Sequence, residues 1–222
     1  MTDAPFQRAR SPEAKARRRA DILSAARAIL DQEGSEAVTL QEIATRAGIV
    51  KSNIYRYFES REDILVELLL SDMAEMNDAL ADMDSADRGA EATARCIADA
   101  FVARPRFCLL VSLLAPTLEH NISPERLRAI KLQLLSEQKR AVASVCARCP
   151  DLRPDAAAEW TNMVFVLAAG LWPMTHPGPA LARVLEAPEF AAFKLPFEDQ
   201  FHSAALAALR GYIAGSGPDR TG

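Results

Sequence analysis

Ser52, Asn53, Tyr55, Arg56 and Tyr57 fall within one short stretch of the chain, ahead of Phe58. Their chemistry is that of hydrogen bonding, not of bond breaking. A guanidinium can fork onto the edge of guanine and an amide onto that of adenine, while phenol hydroxyls can hold phosphates. Projected at about 100° per residue, Ile54 and Phe58 point one way and Arg56 nearly opposite, with Ser52 and Asn53 beside it. Tyr55 and Tyr57 then flank the buried direction at roughly 80° on either side. Such a face suits the major groove of a duplex, with base contacts outermost and phosphate contacts on the flanks. A bare three-helix bundle with a solvated polar face is the plainer alternative, and it leaves the outward arginine between two tyrosines without a use.

Positioning these groups needs a frame of helices. A first helix is predicted from about Ala16 to Glu33, with Ile22, Ala26, Ile29 and Leu30 as its apolar stripe and Gly34 as its stop. Thr39-Leu40-Gln41-Glu42 has the form of a capping box in which hydroxyl and carboxylate satisfy two free amides reciprocally. Leu40, Ile43, Ala44 and Ala47 give the second helix one apolar face, and Gly48 ends it. The third is expected over Val50 to Tyr57. Ser60-Arg61-Glu62-Asp63 then caps a long fourth helix carrying Leu65, Leu68, Asp72, Met76 and Leu80 in register. Thr39 and Arg61 stand at predicted helix N-termini, where backbone amides favour phosphate. Two short helices joined by a tight glycine turn, with a third before them, make a helix-turn-helix.

The run from Ser35 to Ala44 (SEAVTLQEIA) and from Gly48 to Glu62 (GIVKSNIYRYFESRE) closely resembles the DNA-binding signature of TetR-type, tetracycline-repressor-like regulators. The resemblance is strong over about residues 16–65 and architectural beyond. It implies that Lys51, Ser52, Asn53 and Arg56 face bases, and that Thr39, Tyr55, Tyr57 and Arg61 face phosphates. Val50 departs from it: the family more often starts this helix with a small hydroxyl residue, and Val cannot cap. Arg61 replaces the commoner Lys with no loss of charge. The resemblance further implies a double-stranded DNA operator as partner, a homodimer, negative control of transcription, and a ligand cavity among the middle helices.

Composition fits this reading. Of 222 residues, 50% are hydrophobic and 25% charged, in the range of a globular protein. Glycine is scarce, at 9, and most of the 13 prolines lie between periodic segments. No alternating β-ladder pattern occurs, so the expected class is all-α. Residues 1–60 hold 10 Lys/Arg against 8 Asp/Glu; taken from totals of 26 and 30, this leaves 16 against 22 for the remainder. A basic head on an acidic body suits a polyanion-binding module joined to another function. The expected division is a basic flexible arm (1–15), a helix-turn-helix domain (16–60), a regulatory and dimerisation domain (61–214) and a flexible tail (215–222). No apolar segment follows the basic N-terminus, and the run from Met163 to Met174 is shorter than the roughly 18 residues of a membrane span. The expected location is the cytoplasm, with free thiols and no membrane partner.

The C-terminal part is predicted to form helices over about 90–103, 106–115, 124–146 (opened by Ser123-Pro124-Glu125), 155–171, 180–186 and 196–214. Pro173, Pro177 and Pro179 are expected to break the chain. No G-x-S-x-G elbow, phosphate-binding glycine loop or H-E-x-x-H is present, so neither a catalytic set nor a cofactor is assigned. Cys146-x-x-Cys149 has no second ligand pair nearby, and no metal is assigned; core thiols are the plainer reading. A small-molecule effector, apolar because few charges are at hand, is expected against Phe101, Phe107, His120, Met163, Leu167, Trp172 and His176. The last helix carries two apolar stripes, one of them Phe201, Ala205, Ala208 and Tyr212, which is assigned to the dimer interface. A helical ligand carrier or enzyme would also explain a pocket, but it leaves Arg56 and the tyrosines without a function.

Overall fold

The computed structural model describes residues 12–82 and 87–215, and among these every regular element is helical. The order is α1 (Pro12–Glu33), α2 (Leu40–Arg46), α3 (Lys51–Ile54), α4 (Arg61–Asp82), α5 (Ala90–Val102), α6 (Pro105–Leu113), α7 (Pro124–Arg148), α8 (Pro154–Thr175), α9 (Pro179–Val184) and α10 (Phe197–Gly215). Short 3₁₀ turns occupy Ser35–Ala37 and Pro188–Phe193, and α6 runs on into a π-helical turn at Leu114–Leu118.

α1 starts earlier than expected, at Pro12, so residues 12–15 of the anticipated arm are helical. Proline at the first helical position loses no bond there, because that amide is free in any case. The rest of that arm, residues 1–11, and most of the tail lie outside the described residues. α1, α2 and α3 close over Ile22, Ile29, Ile43, Ile54 and Phe58, all essentially fully buried. Gly48 makes the turn between α2 and α3 with a φ of 63°, a left-handed conformation that a side chain would strain.

α4 is the spine. Its buried Leu65, Leu68, Leu69, Met73 and Met76 join the N-terminal core to that of the C-terminal helices in one continuous cluster. α4 packs on α1, α6 and α7, while α10 packs on α5 and α8. Phe101, Phe107, Phe165 and Phe201 meet edge-on or tilted, with ring centroids 5.2–5.8 Å apart. Trp160 is fully buried and its indole Nε1–H donates to the Ala205 carbonyl at 3.0 Å.

Pro173 does not end α8 but sits inside it, two residues before its end. A proline that close to the C-terminus removes little of the ladder. The hydroxyl of Thr175 donates to the Leu171 carbonyl at 2.9 Å, and the amide of His176 to that of Trp172 at 3.0 Å, which re-satisfies the last turn.

Candidate nucleic-acid interface

The N-terminal frame is held by its caps and by two arginines. Thr39 Oγ1 accepts the Glu42 amide at 3.1 Å, so half of the expected capping box forms. The Glu42 carboxylate does not reach back; it accepts from Arg46 Nε at 3.0 Å. Arg46 also donates to Gln32 at 2.9 Å and to Glu33, and so pins the end of α2 to the end of α1. At the start of α4 a variant of the box forms, in which the acid reaches the amide of the residue before the N-cap rather than that of the N-cap itself. Ser60 Oγ accepts the Asp63 amide and Asp63 accepts the Glu59 amide, both at 3.1 Å.

Within this frame α3 is only four residues long, shorter than the expected Val50 to Tyr57, and Val50 gives no side-chain cap. Beyond Ile54 the chain keeps winding as a tighter turn, with Tyr57 N donating to Ile54 O at 2.8 Å and Arg56 N to Asn53 O at 3.3 Å. The periodicity therefore survives past the helix. Ile54 and Phe58 are buried, while Lys51, Ser52, Tyr55 and Arg56 are exposed and Asn53 is half-buried. Tyr57 is half-buried and packs its ring against the core. None of Lys51, Ser52, Asn53, Tyr55 and Arg56 makes a side-chain hydrogen bond or ion pair with another described residue.

Arg61 does not join this face. Its guanidinium turns back to donate to the carbonyls of Val38 and Ser35 and to pair with Glu62 at 3.3 Å. The Val38 carbonyl, in the bend between α1 and α2, takes no backbone amide among the described residues, whereas that of Ser35 also accepts the Val38 amide at 3.3 Å. Arg61 thus ties the start of α4 to the bend before α2, and its guanidinium is not held free toward the outer face where a phosphate contact was expected. Arg19, near the start of α1, lies 4.8 Å over the Phe58 ring and pairs with Glu67 at 2.7 Å.

Residues 22–68 match the family described as bacterial regulatory proteins, tetR family, and residues 68–216 match the tetracyclin repressor-like C-terminal domain. The chain belongs to the TetR family. It is thus a member of a family of regulators rather than of enzymes, and the resemblance seen in the helix-turn-helix extends through the regulatory domain. Over 57 residues the chain is 42% identical to the HTH-type transcriptional repressor KstR of Mycobacterium tuberculosis, covering 26% of each chain. It is 38% identical over 52 residues to the repressor KstR2 of the same organism, covering 23% of this chain and 26% of that one. These matches span about a quarter of the curated relatives' length. A protein of Streptomyces coelicolor, described as a possible TetR family transcriptional regulator, shares the fold with a TM-score of 0.60 at 20% identity, over 89% of this chain and 99% of that one.

The remaining expected site residues scatter. Phe101 and Phe107 are buried in the packed aromatic cluster, Met163 is 37% exposed, and His120 is exposed. Leu167 is half-buried, and exposed His176 stacks on Trp172 at 3.6 Å. The enclosed void among Met76, Leu80, Ile97, Phe101, Trp160 and Phe165 measures only about 10 Å³. The seven residues therefore do not surround one cavity. Phe201 and Ala205, assigned to the dimer interface, are fully buried against the chain's own core; Ala208 and Tyr212 are half-buried. The outer side of α10 carries Ala207, Gly211 and Ala214 instead. The buried side of α10 takes Phe197, Phe201 and Ala205 from the assigned stripe together with Leu209, so it runs between the two apolar stripes rather than along one of them.

Among the described residues no three His, Cys, Asp or Glu side chains gather as a metal site requires. Burial raises the thiols of Cys96 and Cys149 and pushes that of Cys108 to about 12, which keeps them protonated and unreactive. No described helix is long and apolar enough to cross a membrane.

Proposed function

We propose that the chain is a ligand-responsive transcriptional repressor, acting in the cytoplasm as a homodimer on a near-palindromic operator. The observation that carries the proposal is the outer face of α3 and the turn after it. There the side chains of Lys51, Ser52, Asn53 and Arg56 have no hydrogen-bond or ion-pair partner among the described residues, on a frame fixed by the Thr39 and Ser60 caps and by Arg46 and Arg61. Polar groups left unpartnered on a rigid scaffold are pre-organised to read base edges. Thr39 keeps its hydroxyl proton for a phosphate after accepting the Glu42 amide. Tyr55 and Tyr57 present their hydroxyls on the flanks. Repression rather than activation is favoured because KstR and KstR2 are named repressors. The dimer is assigned to the outer faces of α8 and α10, where Met163, Val166 and Met174 are exposed beside Ala207 and Gly211. A two-fold axis would set the half-site centres about 34–36 Å apart or at a multiple. The effector is expected to be largely apolar.

Selection of bound duplexes from random DNA tests this. A palindromic consensus is expected, relaxed at one base pair per half-site when Arg56 is changed. Recovery of no sequence preference would overturn the reading and point to an architectural binder. No retention of duplex at all would point to a ligand-binding protein.

A further inference from the structure

A surface cleft of about 410 Å³ opens where α1 meets α4, α6 and α8, lined by residues of both the helix-turn-helix and the regulatory part. It falls in the range of small-molecule pockets, roughly 300–1,000 Å³. Leu30, Phe107, Leu109 and Trp172 supply apolar lining. Trp172 is held by the stack on His176 and an edge contact with Phe197 at 5.1 Å.

Arg106 stands in this cleft and holds two carboxylates that differ in kind. Its Nε and Nη2 donate to Asp72 at 2.7 and 2.8 Å, and Asp72 lies almost wholly out of solvent. Its Nη1 donates to both oxygens of Asp31 at 2.9 and 2.7 Å. The Asp31 side chain is 45% exposed, against 4% for that of Asp72. Asp72 is thus a fixed part of the core, because stripping its partner would leave an uncompensated buried charge. Asp31 is an exposed member of an ion pair, worth little and easily exchanged. It is also the group through which α1, in the DNA-binding part, is fastened to α6. Arg104 adds a second guanidinium at the cleft, bonded to the Ala100 carbonyl at 3.0 Å and to no carboxylate among the described residues.

From this geometry we propose that the cleft binds an organic carboxylate with an apolar body, whose head group replaces Asp31 on Arg106 and unfastens α1 from α6. The apolar body lies over Leu30, Leu109 and Trp172 while Arg104 helps to balance the charge. Arg106 keeps its pair with Asp72 throughout, so the core is not disturbed. What changes is the tie between the recognition unit and the regulatory helices, and a ligand that binds only the untied state shifts the equilibrium toward it. The proposal rests on the repressor reading for its consequence, release of DNA, but not for the binding event.

Decanoate is a suitable probe, with decan-1-ol as its uncharged counterpart, and calorimetry on the full chain without DNA reads binding. Decanoate is expected to bind at least tenfold more tightly than decan-1-ol. Asp31→Asn removes the competing carboxylate and should tighten decanoate binding several-fold, an effect that a merely structural role of Asp31 would not produce. Leu109→Trp narrows the cleft, leaves the ion pairs in place and should abolish binding. Equal binding of acid and alcohol, or unchanged affinity in both variants, would overturn the proposal. DNA release is read separately by anisotropy on the selected duplex. Decanoate binding without DNA release leaves the site standing and removes its regulatory role. DNA binding with no effect of Asp31→Asn on decanoate removes the site and leaves the repressor reading intact.

Discussion

Arg56 and Tyr55 are adjacent and both exposed, yet they should fail differently when changed. Arg56→Ala removes a forked contact to one base pair and should cost about 1–3 kcal/mol there, relaxing the preference at that position in each half-site. Tyr55→Phe removes a hydroxyl aimed at phosphate and should weaken all sequences alike. Competition binding against a set of single-base variants separates the two outcomes, and an unchanged preference in Arg56→Ala would mean that the outer face is misassigned. Arg61 gives the contrasting case. Because it donates to the Val38 and Ser35 carbonyls, Arg61→Ala should lower the unfolding free energy by about 1–3 kcal/mol, chiefly through the Val38 carbonyl, since that of Ser35 keeps the Val38 amide. The slope of log affinity against log salt should stay the same, whereas loss of a phosphate contact would reduce it by about 0.9. Nothing in the residue type distinguishes these roles. The sequence shows that Arg61 begins a helix, but not that two carbonyl acceptors lie within its reach, since they belong to residues more than twenty positions earlier.

At the scale of elements, what was legible was whatever local chemistry dictates. The Thr39, Ser60 and Ser123 caps and the Gly48 turn are short-range and all form. The run of α8 through Pro173 and the start of α1 at Pro12 depend on neighbours and position within the helix, which a proline does not reveal by itself. The junction of α4 with α7 shows a tertiary contact of the same hidden kind. The Glu59 carboxylate accepts both the amide and the hydroxyl of Ser123, at 3.0 and 2.9 Å, joining the end of the recognition unit to the start of α7. These bonds, the backbone one first, hold the Glu59 carboxyl below its ordinary value. A group depressed in the folded state adds stability above its unfolded pKa and loses it as pH falls through the folded one. Acid titration of the melting temperature should therefore steepen below about pH 4.5, and Glu59→Gln should flatten that part of the curve. Identical curves for the two proteins would remove the pair from the acid response.

For the whole molecule the decisive question is which surface would meet a second copy in the proposed dimer. α8 buries Ala157, Trp160, Val164 and Ala168 inward and leaves Met163, Val166 and Met174 in solvent, with Val166 59% and Met174 62% exposed. α10 packs along it, burying Phe201, Ala205 and Leu209 and showing Ala207, Gly211 and Ala214 outward. Large apolar groups exposed beside small ones form a surface that two copies can share through a two-fold axis, the small side chains admitting the bulky ones. Because the same helices carry the inner core, the pairing would hold the two regulatory parts rigidly and leave each recognition helix to be moved through α4. Val166→Glu and Ala207→Glu place charges on that face at solvent-exposed positions, where substitutions alter monomer stability by no more than about 0.5 kcal/mol. Each should keep its helical signal and sediment as a monomer at micromolar concentration. Affinity for the full palindrome should fall to that for a single half-site. Leu132→Glu, at a position 51% exposed on α7, is the control and should leave the dimer intact. If the α8 and α10 variants stay dimeric while Leu132→Glu dissociates, the exposed leucines of α7 form the interface, and the spacing of the half-sites must be reckoned from that helix instead.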